Sequence, residues 1–492
     1  MSVSQSGGRA LRGLVATAIV GACVSAPTLP KADTGETCAA IPQAMADGST
    51  VRTSGGAEQG PERRLDGIWL SDGYGYVIEI EGDTLQISET TAVSCIPAMM
   101  ARRRPGSAPP AFQIEGRSSQ LEMLAGSSPN ERRVHQAGAA SDVVIRRASQ
   151  RPEVCLKTTP DTPESNFEAF WATFNEQHAF LEERGADWAA TYKKYRPQVT
   201  STTSPDDLFR ILSEMIAPLH DAHTFLSAGS PGKSFRARRP DPNPLTADDR
   251  RRVLEIITSK YIRGELRSWC NGRVEYGRLG DLAGYLRITA FAGYTPNGDY
   301  EEGARELARA IDAAAEDCRT LRALIIDVRL NGGGADPYGV AVASRLTDAK
   351  YVAFVKRARN DPKDATRFTA PQTTWVIPST GPRFTGRLIE LIGRDTVSAG
   401  ETFSMALMGR KPPVTRIGEP TQGVYSDVLG RRLPNGWRIG LPNEVFLTEG
   451  GRHYEVVGVP PDISAPVFTR EDLAAGRDSA LEKALEIVRN VK

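Results

Sequence analysis

The sequence predicts an α/β protein built on a largely parallel sheet, preceded by a small antiparallel β domain and a helical segment. Three observations predict it. Residues 280–470 alternate apolar runs of strand length with stretches of helical spacing: Gly284 to Ile288, then the Ala-rich Glu301 to Ala314; Leu324 to Val328, then Tyr338 to Leu346; the Leu388 run, then the stretch after Ser398. Repeated β-then-α units favour parallel pairing. Residues 63–158 are different. Gly67-Ile68-Trp69-Leu70, Tyr74 to Ile80 and Thr84 to Ile87 alternate or carry strand formers, and Gly82-Asp83 breaks them like a hairpin turn. Residues 163–228 have helical periodicity, with Phe167, Phe170, Trp171 and Phe174 at i, i+3, i+4 and i+7. That stripe reads as core rather than as a ligand site. A second helix is expected from Pro205 to Leu219, with Ser204 as its N-cap.

The N-terminus has another character. Arg9 and Arg12 precede the short run Leu14 to Cys23, which reads as a secretory leader within residues 1–34. It is too short for a spanning helix. Val20-Gly21-Ala22-Cys23 also resembles a bacterial lipoprotein cleavage box. Lipid on Cys23 would tether the chain to a membrane; cleavage further on would release it to the periplasm or the exterior. Residues 35–62 are rich in Gly, Ala, Ser and Thr and read as a flexible lead-in. Export permits disulfides. Cys95 and Cys155 bracket the β domain and can pair with each other, but Cys38 can equally take either.

Composition excludes some functions. Lys+Arg at 61 against Asp+Glu at 60 gives no electrostatic case for nucleic acid or an anionic membrane surface. No HExxH, CxxC pair or phosphate loop is present, so no metal or cofactor is called for.

Two stretches carry chemistry. In Arg387 to Met408 a strand runs into a polar break, Gly393 to Thr396, and then into a helix with Ser398 at the turn. A hydroxyl there sits at a helix N-terminus, where free amides and the dipole favour developing negative charge. The bland reading is a capping box, Ser398 with Glu401 three residues on. In Leu321 to Ala335 a buried strand ends in Asn331-Gly332-Gly333-Gly334. Three absent side chains let backbone amides approach a substrate and supply an oxyanion donor. The bland reading is a turn.

Together these stretches resemble the tail-specific (C-terminal processing) serine peptidases, whose relatives include the tricorn protease core and the interphotoreceptor retinoid-binding protein. The matching residues are Asp327 to Gly334, Thr396 to Glu401, Gly418 to Gly423, Leu433 to Gly436 and Glu455 to Ile463, in the family's order. Leu219 to Thr224 resembles the histidine motif of the tricorn-like branch. The resemblance implies a crotonase-like ββα superhelix for residues 280–470; residues 471–492, beyond it, are expected to form a C-terminal helix. It implies protein or peptide substrates and a serine-type hydrolase. Many members carry a PDZ module before the core. Residues 229–279 are too few for one, so they are expected to be a linker.

The resemblance also assigns roles. One branch uses a lysine just after Gly423, but Val424-Tyr425-Ser426-Asp427 follows here, and Lys411 lies outside the motif. The other branch uses histidine. Among His135, His178, His220, His223 and His453, the residue matching the motif is His223, with Ala222 where the family has Gly. Ser398 would be the nucleophile, His223 the base and Glu455 the carboxylate that holds the base. Gly333 and Ala399 would form the oxyanion hole. His220 and His453 are the substitute bases, Glu419 and Glu401 the substitute carboxylates. The competing reading is a non-catalytic ligand- or peptide-binding protein on the same fold. Acyl-CoA chemistry would share the core but leave the serine turn and the leader unexplained.

Overall fold

The computed structural model describes residues 65–229, 232–241 and 243–490. The leader, the lead-in, Cys23 and Cys38 lie outside them.

The β domain is a closed barrel. Strands β1 (Gly67–Ser71), β2 (Tyr76–Glu81), β3 (Thr84–Thr90), β4 (Cys95–Arg103), β5 (Ala111–Ile114), β6 (Gln120–Ala125), β7 (Glu131–His135) and β8 (Val143–Ala148) pair antiparallel in chain order. Closure comes from β8 returning to β1, with Ile68 opposite Ala148. The alternation of the sequence is the reason. Ile78, Ile80, Leu85 and Ile87 point inward with Trp69, Phe112 and Ile145, while Glu79 and Gln86 do not. Closing the sheet removes both exposed edges. Cys95 is disulfide-bonded to Cys155, beyond the barrel's last strand.

Helices α1 (Pro163–Gln177), α2 (Trp188–Tyr195) and α3 (Pro205–Ile216) follow. Phe167, Phe170 and Phe174 of α1 are fully buried, in a core continuous with the barrel interior. The Ser204 hydroxyl caps α3, accepting from the Asp207 amide at 3.1 Å. The helix ends at Ile216 and tightens into a 3-10 turn through Leu219. Next come β9 (Phe225–Ala228), β10 (Lys233–Arg236), α4 (Ala247–Ile256), β11 (Arg263–Trp269) and β12 (Val274–Arg278). Residues 229–279 are therefore not a linker. β11 pairs antiparallel with β12 within this segment, and β12 lies antiparallel to β13 (Ala283–Ile288), which joins both to the central sheet.

The remaining elements are α5 (Tyr300–Cys318), β14 (Ala323–Asp327), α6 (Asp336–Ala343), β15 (Tyr351–Ala358), β16 (Gln372–Val376), β17 (Arg387–Ile392), α7 (Ala399–Ala406), β18 (Thr415–Gly418), β19 (Val428–Arg432), β20 (Arg438–Pro442), β21 (Glu444–Leu447), β22 (Ile463–Ser464), α8 (Arg470–Ala475) and α9 (Ser479–Asn490). The expected single C-terminal helix is two. Gly476 takes a left-handed conformation (φ 59°) that ends α8.

The central sheet has the order β11-β12-β13-β14-β17-β18-β22, parallel from β13 onward. One face packs on α5, α6 and α7, the other on α4 and α9. Beside it lie a four-stranded sheet, β10-β9-β20-β19, and a three-stranded one, β16-β15-β21. A buried Arg329 fixes the C-terminus. Its guanidinium donates to Asp327 at the end of β14 and to Asp478 before α9, each at 2.6 Å.

The disulfide spans a sequence separation of 60. On the loop-closure account its reduction lowers stability by roughly 4 kcal/mol. Urea unfolding with and without reductant measures this, and a change under about 1 kcal/mol contradicts it.

Candidate active site

In an open parallel sheet, ligands bind beyond the carboxyl ends of the strands. Two such ends meet here. After β14 the chain enters the Gly-rich loop, and after β17 it turns into α7 with Ser398 at the corner. The two loops are laced together. Thr396 Oγ1 donates to the Val328 carbonyl at 2.8 Å, the Val397 amide to the Asn331 carbonyl at 3.0 Å, and Gly400 packs on the Asn331 side chain.

Ser398 has φ 58° and ψ −125°. That is strained for any residue with a Cβ, costing about 1–3 kcal/mol. Such a turn lifts the side chain out of the strand-to-helix path, and Ser398 is half-buried while its neighbours Ala399 and Gly400 are buried. Ser398 and Glu401 form a capping box, the Glu401 amide facing the serine side chain and the Glu401 carboxylate accepting from the Ser398 amide at 3.3 Å. An oxygen that accepts in a cap still keeps its own proton to give to a base.

Gly333 faces the serine at close quarters. A Cβ there would lie 2.6 Å from Ser398 Cβ and 3.1 Å from its Oγ, and φ is +88°. Only glycine allows that approach. The Gly333 amide donates to Asn331 Oδ1 at 2.9 Å, so this amide is engaged within its own loop. Ala399 holds the first helical position of α7, where an amide has no intrahelical acceptor.

His223 arrives from elsewhere, on the loop between α3 and β9. Asp221 shapes that loop, accepting from the His223 amide at 2.8 Å and from Thr224 Oγ1 at 3.1 Å. His223 is buried, and its Nδ1 has no hydrogen-bond partner. Burial pushes its pKa below the ordinary 6.5. The carboxylates of Asp221 and Asp427 pull the other way, as does the nearby Ser426 carbonyl, and the Arg236 guanidinium adds to the depression.

Glu455 is buried too. Its Oε1 accepts from Arg184 Nη2 at 2.6 Å, and its Oε2 from the amides of Tyr425 and Ser426 at 2.9 and 3.4 Å. Burial raises its pKa to about 8 despite Arg184. Asp221 Oδ2 lies 3.7 Å from the same Arg184 Nη2.

Residues Val424 to Ser426 are therefore the meeting point. The Ser398 amide donates to the Val424 carbonyl at 3.0 Å, Ser426 lies against His223, and Glu455 holds the amides of 425 and 426. The three predicted residues converge on one segment, but no hydrogen bond joins His223 to Ser398 or to Glu455.

The substitutes stand elsewhere. His220 is exposed at the end of the 3-10 turn. His453 packs near the Phe180 ring with Nδ1 buried and unpartnered. Lys411 is exposed. Glu419 accepts from the Val467 amide at 3.2 Å and pairs with Arg394. Glu401 lies under the serine turn, accepting from the Ser398, Gly423 and Val424 amides and from Thr421 Oγ1.

Two features escaped the sequence reading. Arg184 binds Glu455 across 271 residues of chain. Lys356 is buried against Asp427 at 2.5 Å and Glu444 at 3.1 Å, and the barrel residue Tyr74 donates to Glu444 at 2.6 Å. Burial alone would lower the pKa of Lys356, but Asp427 and Glu444 outweigh it and hold the ammonium charged. A charged lysine is no base. Nothing in the local sequence marks either cation, since both depend on partners far along the chain.

Comparison with known proteins places this geometry in a family. Residues 283–465 match the model for peptidase family S41, and residues 159–217 match the Tricorn protease C1 domain. No curated protein matches the chain. Among solved structures, a putative peptidase from Parabacteroides merdae is 26% identical with a TM-score of 0.57, covering 67% of this chain and 97% of the other. Mature CPAF in complex with lactacystin is 14% identical with a TM-score of 0.48, covering 67% and 97%. The photosystem II D1 C-terminal processing protease is 14% identical with a TM-score of 0.39, covering 62% and 93%. Residues 283–465 thus carry a peptidase family S41 domain, and the chain is a serine-type peptidase.

The strain at residue 398 is measurable. Ser398→Gly is expected to be more stable than Ser398→Ala by about 1 kcal/mol, because glycine tolerates the positive φ but loses more chain entropy on folding. Chemical denaturation of the two variants checks this, and equal stabilities would mean that the turn is unstrained.

Proposed function

We propose that this chain, a serine-type peptidase by its S41 domain, is an exported endopeptidase that cleaves peptide bonds through an acyl-enzyme on Ser398. The observation that carries the reading is the strained turn of Ser398, which sets its side chain against Gly333. Export is supported by the leader-like residues 1–34 and by the Cys95–Cys155 disulfide, which suits an oxidising compartment. Lipid on Cys23 and release by cleavage further on remain the two forms of that export.

In this mechanism His223 takes the proton from Ser398 Oγ as the oxygen attacks the scissile carbonyl carbon. The carbonyl oxygen becomes an oxyanion, held by the Ala399 amide at the positive end of α7. Gly333 supplies the second donor once its amide leaves Asn331 Oδ1. The tetrahedral intermediate collapses, the C–N bond breaks, and His223 gives its proton to the leaving amine. Water, deprotonated by the same imidazole, then releases the acyl group and restores Ser398.

Burial keeps His223 neutral at pH values where an exposed histidine is charged, which favours its use as a base. Glu455 acts at one remove, as a positioning residue. Its carboxylate holds the amides of Tyr425 and Ser426, and the Ser426 carbonyl lies against the imidazole. The serine–imidazole hydrogen bond forms when substrate closes the site, as is common for catalytic contacts that are loose in the free enzyme.

Labelling with a fluorophosphonate probe tests the assignment. The wild type is expected to label, and Ser398→Ala and His223→Ala to lose labelling. Loss in Ser398→Ala alone would move the base to another residue, and no labelling of the wild type would overturn the mechanism.

The pH dependence is a separate test. The base works when neutral, so a depressed pKa places the acidic limb of kcat/KM below pH 6.5. The charged groups around the ring are Asp221, Asp427 and Arg236. Arg236→Gln removes a cation that opposes protonation, so the limb is expected to move to higher pH. A limb that stays in place or moves down would contradict His223 as the base.

A further inference from the structure

A basic ridge runs beside the candidate site. β10 pairs antiparallel with β9, the strand that follows His223, and sets Arg236 opposite Phe225. The chain beyond β10 stays with the histidine loop, the Ala237 amide donating to the Thr224 carbonyl at 2.9 Å. Arg236 Nη1 donates to the Ala222 carbonyl at 2.5 Å, and its guanidinium lies 5.1 Å from the centre of the Phe225 ring. Arg239 Nη2 donates to the Val456 carbonyl at 2.7 Å, one residue past Glu455. Arg238, between them, is exposed. The ridge thus touches the chain neighbours of both His223 and Glu455.

These cations are not neutralised by ion pairs. Arg236 and Arg239 donate to carbonyls, and no carboxylate among the described residues pairs with any of the three. The acids of the region belong to other cations: Asp221 and Glu455 to Arg184, Asp241 to Arg394, and Asp206 to Lys233 at the start of β10. Burial, reinforced by the charge of Arg238, holds Arg236 below the ordinary arginine range, with Asp221 opposing. The whole chain has a formal net charge of only +1, so the ridge is a local feature. The turn that Arg239 grips is strained. Val456 has φ 71°, a left-handed conformation that a β-branched residue rarely adopts. Its amide donates to the Gly423 carbonyl and the Gly458 amide to the Tyr454 carbonyl, each at 2.8 Å, and Val457 is left 63% exposed. Such strain collects at active sites and ligand clamps.

We propose that Arg236, Arg238 and Arg239 form a substrate subsite that selects peptide segments bearing aspartate or glutamate side chains, with Val457 as its apolar wall. Planar guanidinium forks match carboxylates bidentately. Exposed ion pairs add little affinity one by one, but a row of like charges discriminates by sign and steers encounter. The strip borders the loop of the base and the turn of Glu455, so a carboxylate held there lies on a peptide already at the serine. That the bound peptide is a substrate rests on the peptidase reading above; the binding itself does not need Ser398 to react.

Fluorescence anisotropy of the mature full-length Ser398→Ala variant tests it, with two labelled, C-terminally amidated peptides that differ only in carrying glutamate or glutamine at the same positions. The glutamate peptide is expected to bind about fivefold more tightly at low salt, and the preference to fade as salt screens it. Arg238→Gln, at an exposed position, is expected to bring that ratio down by roughly half, and adding Arg239→Gln to bring it close to unity. Equal binding of the two peptides by the parent, or a ratio unchanged in both variants, would overturn the proposal. Tighter binding of the glutamine peptide with a free carboxyl terminus than of the amidated glutamate peptide would move recognition to the chain end and overturn it as well. Selective binding of the glutamate peptide without its cleavage by the wild type would count against Ser398 as the nucleophile and leave this inference standing, so the two failures are distinct.

Discussion

The Glu401 carboxylate is the contact on which the candidate site depends. It lies under the turn at Ser398 and accepts from Thr421 Oγ1 at 2.6 Å and from the amides of Gly423, Val424 and Ser398 at 2.7, 2.8 and 3.3 Å. The turn stores about 1–3 kcal/mol of backbone strain. Ordinary hydrogen bonds contribute about 0.5–1.5 kcal/mol each, so the set offsets the strain even without a full charge on the carboxyl. Burial raises the Glu401 pKa to about 7, with the four donors opposing it. The carboxylate that looked in sequence like half of a helix cap is therefore a clamp. It joins the serine turn to the very segment, 423 to 426, against which the imidazole lies.

Charge is organised around that segment by pairs distant in sequence. Arg184 sits between Asp221 on the histidine loop and Glu455 beyond it, so one guanidinium ties the loop carrying His223 to the strand-like segment carrying Ser426. Lys356 does the same for Asp427 and Glu444, and Tyr74 brings the barrel into that cluster. Breaking a buried pair by removing one partner costs about 3–5 kcal/mol, because a charge is left stranded. The barrel is therefore not a detached appendage: its β1–β2 turn supplies a hydrogen bond to a carboxylate two residues from β20.

The local parts of this site were legible in the sequence. A strand, a polar break and a helix around Ser398 require only short-range pattern, as does the strand ending in Asn331 to Gly334. The barrel was legible as an antiparallel β domain because its side chains alternate. Residues 263–278 were not legible as strands, although β11 and β12 pair with each other locally, because Pro and Arg upstream of them imitate a linker and only β13 carries the pair into the central sheet. The histidine came from a resemblance rather than from its own chemistry, since Asp221-Ala222-His223-Thr224 carries no sign of what faces it. Arg184, Lys356 and Asp427 were illegible for the same physical reason: a buried ion pair is a property of two positions, and the sequence presents them one at a time.

The central claim is that Ser398 is an activated nucleophile whose developing charge is received at the start of α7. A crystal structure of the protein after reaction with a peptidyl phosphonate tests it most directly. The account predicts phosphorus bonded to Ser398 Oγ, one phosphonyl oxygen about 2.7–3.1 Å from the Ala399 amide, and the His223 ring turned toward the adduct. An adduct on another residue, or a phosphonyl oxygen pointing away from the α7 amides, would contradict it.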